Sequence, residues 1–366
     1  MRSLAVEALN VRSFRNLASV DIELGRRLNV VYGENGQGKT SLLESVYVLG
    51  TSRSFRTSRQ SEQISLGSTL ASVRGRVREG TELREQSIGL QNGRRTVRVE
   101  GKAPRTLAAY AVWTPMVVFH PGSLSLSSGS GAERRRLLDR TALYMAPSSQ
   151  GEREGYARAC RARQRVLETR GERASDLESW EDLMVQHGLV LSAARRVAAE
   201  ALSGPVEHAF AGIAEASLTL RLRYEPGAPE DAQAFRIALA RDRSRDRARR
   251  SATVGPHRDD LALELDGVLV RGMASQGQQR AVVIALELAE IQVIEQARGV
   301  RPVLLLDDVS SELDGARTRA LFAALRREDG QVLLTTTRPE LIDTEGLGGA
   351  DERRDFRAVG GEIVPG

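Results

Sequence analysis

The sequence predicts an α/β fold in which both ends of the chain form one domain and a mainly helical segment is inserted between them. Segments with the composition and alternation of strands occupy the chain up to about residue 120 and return after residue 250. Between them the composition changes to Arg, Glu, Ala and Leu, which favours helices. We therefore expect a head made of residues 1–122 and 251–366 and an arm made of residues 123–250.

The N-terminal part of the predicted head is mainly β. A short helix is expected over residues 40–50, and Asn92-Gly93 is typical of the turn of a hairpin. Two of the strands are almost continuously apolar, which is the pattern of a buried strand. The strands are predicted over residues 4–9, 19–24, 27–32, 71–78, 85–90, 94–99 and 114–119.

The Ser- and Gly-rich stretch Leu124–Gly131 marks the start of the arm. The longest helical pattern of the arm repeats apolar residues every three or four positions, as the packing of one helix on another requires. This seam consists of Leu177, Trp180, Met184, His187, Leu191, Ala194, Ala198 and Ala201. Since His187 lies on the seam, we interpret it as a core histidine rather than a ligand.

The rest of the chain returns to alternating strands and helices. Asp266-Gly267 is expected to join two short strands in a hairpin, and an arginine run over Arg241–Arg250 precedes it. The strands are predicted over residues 218–224, 261–265, 268–270, 303–306 and 331–335, and the helices over residues 231–240, 276–297 and 316–327. The strand–helix–strand finish indicates that the C-terminal part completes the head.

Composition narrows the class of protein. Lys and Arg number 53 against 48 Asp and Glu, and the isoelectric point of about 9.7 is compatible with a phosphate-rich partner without identifying one. The aromatic fraction of 4% argues against a surface that stacks single-stranded bases. A single cysteine, Cys160, excludes an intramolecular disulfide, and no apolar run is long enough to span a bilayer. We expect a cytoplasmic protein.

The strongest motif is Gly33–Thr40, which reads GENGQGKT, follows an apolar strand and opens a helix. Glycines let successive backbone N–H groups point at phosphates, and the helix N-terminus adds a partial positive charge. The motif predicts a site for ATP, with Lys39 between the β- and γ-phosphates and the Thr40 hydroxyl on Mg²⁺. The predicted nucleotide-binding residues here are Gly33, Glu34, Asn35, Gly36, Gln37, Gly38, Lys39, Thr40 and Ser41.

A second motif supports the first. The apolar strand Val303–Leu306 ends in Asp307 and Asp308. Asp307 is placed to bind Mg²⁺ directly or through water, and Asp308 is the candidate that orients or activates the attacking water. We therefore predict Thr40 and Asp307 as metal ligands, and Lys39 and Asp308 as catalytic residues.

Ser275-Gln276-Gly277-Gln278-Gln279-Arg280 precedes a long helix and resembles the signature motif of ABC-type ATPases. This resemblance makes the predicted head an ABC-type P-loop ATPase head. In that superfamily the signature faces the nucleotide of a second subunit, so the resemblance implies that Ser275, Gln276, Gly277 and Gln278 contact ATP in an ATP-dependent homodimer. It also places a D-loop at Ser311–Asp314, with Asp314 as a nucleotide contact.

Two further comparisons with ABC-type ATPases refine the class. Thr336 or Thr337 stands where that superfamily has its switch histidine, which weakens the case for fast hydrolysis. The glycine loop at residues 33–40 and the signature at residues 275–280 lie much farther apart than in transporter domains. An insertion between the two motifs is typical of SMC-type ATPases, so a transporter-associated ATPase is disfavoured.

Stretches spread over nearly the whole chain resemble the RecF family. The most specific is the combination of GPHRDD with SQGQQR. The stretches are Phe14–Asn16, Gly33–Thr40, Ser54–Arg56, Arg134–Asp139, Gly255–Leu261, Ser275–Arg280 and Asp307–Asp314.

The resemblance implies a recombination mediator of DNA repair. Such a protein binds duplex DNA or duplex–single-strand junctions, dimerises with ATP, and has a weak ATPase that DNA stimulates. It acts with RecO and RecR to help load the RecA recombinase. The family's Q-loop has no Gln counterpart near Phe119–Pro121, where His120 either takes a related role or belongs to a structural turn.

Three arginine clusters are candidates for contacting DNA phosphates. They are Arg53, Arg56 and Arg59; Arg134 to Arg136; and the run over Arg241–Arg250. In the run, Asp242 and Asp246 are interleaved, so a self-paired solvated face is as good an interpretation as DNA binding. We favour Arg53, Arg56 and Arg59, since an ATP-held dimer would bring that loop near the groove between subunits.

Two interpretations remain open for His257 and Arg258. They contact nucleotide across a dimer, or they brace the hairpin against the head through Asp259 and Asp260. The competing function is a true catalytic enzyme, either a small-molecule kinase or a nuclease-linked ATPase. A two-metal nuclease needs an additional carboxylate or His cluster, and the four histidines are scattered.

Overall fold

The computed structural model divides into two compact units. The described residues are 2–214, 218–308, 315–326, 330–341 and 352–366. The first unit contains Met1–Ser123, Gly212–Ala214 and Val283–Gly366, and the second contains Leu124–Ala211 and Glu215–Val282. The prediction returned the chain to the head at residue 251, whereas residues 251–282 lie in the second unit. The reason is a strand pairing, since the strand at residues 260–265 pairs with the strand at residues 220–225.

Twelve strands lie at the predicted segments, with ends that differ by up to five residues. The strands are β1 (Leu4–Phe14), β2 (Leu17–Glu23), β3 (Leu28–Tyr32), β4 (Leu70–Glu79), β5 (Glu82–Gln91), β6 (Arg94–Val99), β7 (Met116–Phe119), β8 (Leu220–Glu225), β9 (Asp260–Leu265), β10 (Val268–Leu269), β11 (Val303–Leu306), β12 (Val332–Thr336), β13 (Arg353–Val359) and β14 (Glu362–Pro365). The hairpin formed by β13 and β14 has no counterpart among the predicted elements.

The helices follow the sequence pattern closely in the arm. They are α1 (Lys39–Thr51), α2 (Leu107–Ala111), α3 (Ser125–Ser128), α4 (Gly131–Met145), α5 (Ser149–Arg170), α6 (Leu177–Ala211), α7 (Ala232–Arg241), α8 (Arg243–Arg249), α9 (Gln276–Arg298) and α10 (Gly315–Arg326). None of the helices in the described part of the chain is long and apolar enough to cross a membrane.

The first unit contains two sheets with α1 packed against both. One sheet is antiparallel, in the order β2-β1-β4-β5-β6. The other has the order β14-β13-β3-β12-β11-β7, and only its edge strand β14 runs antiparallel to its neighbour. Helix α1 contacts strands of both sheets and is buried along nearly its whole length. Packing against both sheets therefore buries nearly every side of α1 and holds its N-terminus in place.

The buried side chain of Gln331 ties the two sheets together. Its Oε1 accepts from the backbone N–H of Val6 at 2.8 Å, and its Nε2 donates to the carbonyl of Val6 at 2.8 Å. The same Nε2 donates to the carbonyl of Gly25 at 2.8 Å. Gln331 thus pairs with β1 as another strand would, from a position just before β12.

The second unit is built on two long helices and a small sheet. Helices α5 and α6 pack together, and the predicted seam of α6 is buried at Leu177, Met184, Leu191 and Ala198. His187 is half-buried, and its Nδ1 lies 2.8 Å from a carboxylate oxygen of Glu152. The sheet has the order β10-β9-β8. The arm is therefore mainly helical but not wholly so.

We expect Gln331→Ala to lower the free energy of unfolding by about 1–3 kcal/mol, because the backbone N–H and C=O of Val6 lose their buried partner, whereas the carbonyl of Gly25 keeps Asn29 Nδ2. Urea unfolding followed by circular dichroism measures the loss. Gln91→Ala, at an exposed position of β5, is the matched control and should change stability by less than about 0.5 kcal/mol. Equal losses in the two variants would show that Gln331 does not join the sheets.

Candidate nucleotide site

The glycine loop curls between β3 and α1 because three glycines adopt positive φ angles. Gly33, Gly36 and Gly38 have φ of 149°, 81° and 110°. A Cβ on Gly33 would lie 2.5 Å from the carbonyl oxygen of Ala358 in β13, so only glycine fits there. The loop reaches the N-terminus of a buried helix, which is a ready-made site for an anion.

Lys39 is buried at the bottom of this loop. Its Nζ donates to the carbonyl oxygens of Gly33 and Glu34 at 2.7 and 2.8 Å. Burial lowers the pKa of Lys39 from its ordinary value, although Asp308 and Asp307 act to raise it. The ammonium group therefore lies in an environment that favours a nearby anion.

Asp307 follows β11 and is linked to the glycine loop through hydroxyl groups. Its Oδ1 accepts from Thr40 Oγ1 at 2.9 Å and from Thr335 Oγ1 at 2.8 Å. Burial raises the pKa of Asp307, and the hydroxyls of Thr335 and Thr40 offset part of that effect. A buried carboxylate of this kind, beside a Thr hydroxyl, suits a hard cation that brings its own oxygen ligands.

Asp308 lies beside Asp307 in a backbone conformation that is rare for residues other than glycine. Its φ is 53°, in the left-handed region. Its N–H donates to Thr335 Oγ1 at 2.9 Å, so the hydroxyl of Thr335 contacts both acidic residues. Sequence reasoning missed Thr335, because a Thr at the end of a buried strand carries no distinctive signal.

Two side-chain contacts hold the glycine loop from opposite ends of the chain. Asn16 Nδ2 donates to the carbonyl of Gly36 at 3.0 Å, and its Oδ1 accepts from Ser41 Oγ at 2.7 Å. Gln37 accepts from the backbone N–H groups of Gly360 and Gly361, at the turn between β13 and β14. The loop is therefore held by contacts from both ends of the chain.

Glu44 holds the wall of the site next to the loop. Its carboxylate is fully buried and receives both Nε and Nη2 of Arg15, at 2.8 and 2.7 Å. Ser54 Oγ and Arg56 Nη1 also donate to it. The Phe14–Asn16 and Ser54–Arg56 stretches therefore meet at one carboxylate on α1.

A cavity of about 490 Å³ opens over these groups. Its polar lining matches a triphosphate, with the glycine loop and Lys39 on one side and arginines on the other. The lining residues are Arg15, Asn16, Asn35, Gly36, Gly38, Lys39, Thr40, Ser41, Arg56, Glu62, Ile64, Asp308 and Thr335. Among the described residues no group of three or more His, Cys, Asp and Glu side chains could hold a metal ion by itself.

The three arginines predicted to contact DNA lie in different settings. Arg56 lines the cavity and contacts Glu44, so it belongs to the wall of the nucleotide site. Arg53 is exposed, and Arg59 is exposed with Glu62 at 3.4 Å. Arg134 of the second cluster is buried and pairs with Asp260 in the second unit, which removes it from the exposed surface.

The signature segment forms the N-terminal cap of α9 in the second unit. Ser275 Oγ accepts from the N–H of Gln278 at 3.2 Å, and Gln278 Oε1 accepts from the N–H of Ser275 at 2.8 Å. This reciprocal pair is a capping box, which the spacing Ser-x-x-Gln would have revealed. Gln276 and Gly277 open the helix, and Ser275 is exposed. The predicted D-loop, including Asp314, lies outside the described residues.

The candidates for the switch and the Q-loop have structural contacts. Thr336 is buried, and its Oγ1 accepts from the N–H of Arg338 at 2.9 Å. His120 Nδ1 accepts from the N–H of Gly122 at 3.1 Å, and its ring packs on Phe55 with centroids 5.0 Å apart. The sequence left two interpretations open for His120, and the structure shows the structural turn.

Residues 255–260 are anchored inside the second unit. His257 Nδ1 lies 2.7 Å from Tyr156 Oη, and burial lowers the pKa of His257. Asp259 is fully buried and accepts from Arg195 Nη1 at 2.9 Å. Of the two interpretations left open for this motif, these contacts favour a bracing role, and they lie within the second unit.

We expect Glu44→Ala to lower the free energy of unfolding by about 1–3 kcal/mol, because Arg15, Ser54 and Arg56 lose the buried acceptor that they share. Urea unfolding measures the loss. Glu23→Ala removes an exposed glutamate that pairs with Arg76 and should cost less than about 1 kcal/mol. A small loss for Glu44→Ala would mean that this carboxylate does not organise the wall.

Comparisons with known proteins agree with this architecture. A family model described as the RecF/RecN/SMC N terminal domain matches residues 5–346. The DNA replication and repair protein RecF of Anaeromyxobacter sp. (strain Fw109-5) is 40% identical, over 98% of each chain. A structure of the recombination mediator protein RecF-ATP in the RecFOR pathway superposes with a TM-score of 0.87 at 26% identity, covering 99% of this chain and 98% of that one.

The fold itself extends to a wider group. The Smc head domain from Pyrococcus furiosus, bound to part of ScpA, has a TM-score of 0.56 at 16% identity and covers 99% of this chain and 95% of that one. The predicted fold class, an ABC-type head with an inserted helical lobe, is confirmed. The match of the family model and the full-length identity show that the chain belongs to the RecF family.

Proposed function

We propose that this protein is an ATP-dependent DNA-binding recombination mediator of DNA repair. The observation that carries the proposal is the convergence of Lys39, Thr40 and Asp307 at one end of a largely parallel sheet, beside a polar cavity of about 490 Å³. Its relatives are named DNA replication and repair proteins, and a RecF structure with ATP shares its fold.

The residues of the cavity divide the work of holding ATP. The N–H groups of the glycine loop and the Lys39 ammonium bind the phosphates, and Arg15 and Arg56 add positive charge from the wall. Thr40 and Asp307 would hold Mg²⁺, which would supply positive charge next to the phosphates. Asp308 orients the attacking water, and its strained backbone is consistent with a functional position.

ATP then acts mainly as a switch for dimerisation. The exposed cap formed by Ser275 and Gln278 presents the first turn of α9, where helix N–H groups have no carbonyl partner within the helix. A γ-phosphate from a second copy fits such a terminus. Slow hydrolysis follows, because Thr336 or Thr337 replaces the histidine of faster ABC-type enzymes.

The cellular role follows from the family. We propose that the dimer binds duplex DNA or duplex–single-strand junctions and acts with RecO and RecR in loading RecA. The related RecF structures with ATP belong to the RecFOR pathway, which supports these partners. Hydrolysis that DNA stimulates would release the dimer from DNA.

We expect ATP with Mg²⁺ to double the molar mass of the wild type in light scattering, under conditions that limit hydrolysis. Ser275→Arg should bind ATP normally and stay monomeric, since its side chain blocks a contact that only a second copy makes. Lys39→Ala, which removes the phosphate-binding ammonium, should neither bind ATP nor dimerise. An ATP-bound wild type that keeps a monomer's mass would instead indicate an enzyme that works as a single unit.

We expect the double variant Arg53→Gln/Arg59→Gln to bind a duplex roughly 3- to 10-fold more weakly at 0.15 M salt, because two phosphate contacts are lost. Fluorescence anisotropy with a labelled 30-base-pair duplex measures the change. Arg2→Gln/Arg26→Gln is the matched control, since both arginines are exposed and paired with glutamates. Unchanged affinity in the test variant would remove this loop from the DNA surface.

A further inference from the structure

An arginine-rich surface on the second unit is not used by the nucleotide site. It is formed by the exposed sides of α5 and α8, and we call it the α5–α8 surface. Its arginines are Arg158, Arg161, Arg165, Arg245, Arg247, Arg249 and Arg250, and all seven are exposed. The sequence left open whether the arginines of α8 are neutralised by the aspartates interleaved with them.

The two aspartates are buried, and their carboxylates are hydrogen-bonded by residues other than the seven surface arginines. Asp246 is fully buried, and its carboxylate accepts from Arg163 Nη1 at 2.7 Å and from Thr253 Oγ1 at 2.7 Å. Asp242 is buried and accepts from Arg241 Nε at 3.0 Å. Both carboxylates are therefore engaged by other groups, and the self-paired interpretation fails for the arginines that follow Arg243.

Helix α5 adds charge that sequence reasoning did not notice. Arg163 of α5 is fully buried, and Arg158, Arg161 and Arg165 lie on the opposite side of the helix. Gln164 Nε2 donates to the backbone carbonyl of Asp246 at 3.3 Å, so α8 runs alongside these arginines. Within the described part of the chain, none of the seven surface arginines has a carboxylate within ion-pair distance.

The acidic groups of the same face are few. Glu154 and Glu168 are exposed on α5, and each accepts from a glutamine one turn earlier, at 2.6 and 2.8 Å. Glu172 and Glu178 also lie near α8, where they act on Arg243. Four carboxylates against seven guanidinium groups leave the surface net positive. Neither helix exposes a large hydrophobic side chain, which argues against an apolar protein partner.

We propose that the α5–α8 surface binds the phosphate backbone of duplex DNA. Guanidinium groups form bidentate bonds to phosphate, and Arg158 to Arg165 span roughly 10 Å of helix, enough to meet more than one phosphate of a strand. The surface offers no exposed aromatic ring for stacking bases, so it suits a duplex rather than a single strand. This inference rests on the proposed DNA-binding function and adds a second contact region in the arm.

The test compares two quadruple variants of the full chain. The test variant is Arg161→Gln, Arg165→Gln, Arg247→Gln and Arg249→Gln. The control removes four exposed arginines that are paired with carboxylates, by Arg26→Gln, Arg76→Gln, Arg223→Gln and Arg236→Gln. Both variants lose the same charge, and Gln has nearly the helix propensity of Arg.

The probe is a labelled 30-base-pair duplex, titrated in ATP and Mg²⁺ between 50 and 300 mM NaCl. The slope of log affinity against log salt should fall by about 2–4 in the test variant, at about 0.9 per lost phosphate contact. Affinity at 0.15 M salt should fall roughly 10- to 100-fold, equally for two duplexes of unrelated sequence. ATP binding should be unchanged.

Other outcomes would contradict either the α5–α8 surface or the proposed DNA-binding function. Equal effects of test and control variants would overturn the α5–α8 surface, since net charge alone would explain them. A wild type that binds no duplex would overturn the proposed function itself. If the quadruple variant melts early, the single variants Arg161→Gln and Arg249→Gln replace it. Each should then reduce the salt slope by about 1, and an unchanged slope in both overturns the proposal.

Discussion

The buried carboxylate of Glu44 is the interaction on which the nucleotide cavity depends. A fully buried charge is tolerated only when it is paired and hydrogen-bonded, and Glu44 meets this condition by drawing in Arg15, Ser54 and Arg56. The same pairing turns these arginines into a wall that faces the glycine loop. The cost of burying one anion is thus offset by cations that remain beside the cavity, where a triphosphate needs them.

The glycine loop needs both ends of the chain for a related reason. A loop rich in glycine loses much conformational entropy when it is ordered, so contacts made before binding lower the cost of binding. Asn16 supplies such contacts from the turn after β1, and the turn at Gly360 supplies them to Gln37. Gln331 fixes the sheets on which both turns are mounted. Residues from both ends of the chain therefore hold the glycine loop in place.

Sequence patterns predicted the local structure well and the long-range structure less well. The glycine loop, its flanking elements, Asp307 and the seam of α6 follow from spacing, because each depends on neighbours along the chain. The return point at residue 251 was wrong, since β9 pairs with β8 rather than with a strand of the head. The hairpin of β13 and β14 and the role of Thr335 also escaped notice. Pairings across hundreds of residues leave no periodic signal.

The surface charge of the arm is a clearer example of a property that sequence patterns did not predict. The arginine run over Arg241–Arg250 contains six arginines and two aspartates, so a count of residues would neutralise a third of its positive charge. Folding buries Asp246 against Arg163, a residue 83 positions away, so the count misleads. The buried carboxylate of Asp246 pairs with the buried guanidinium of Arg163. It therefore does not neutralise the exposed arginines on either side of it in the sequence. The charge of the α5–α8 surface therefore depends on which charged side chains pair inside the core of the arm. The arginines that do not pair there stay exposed and make this surface basic.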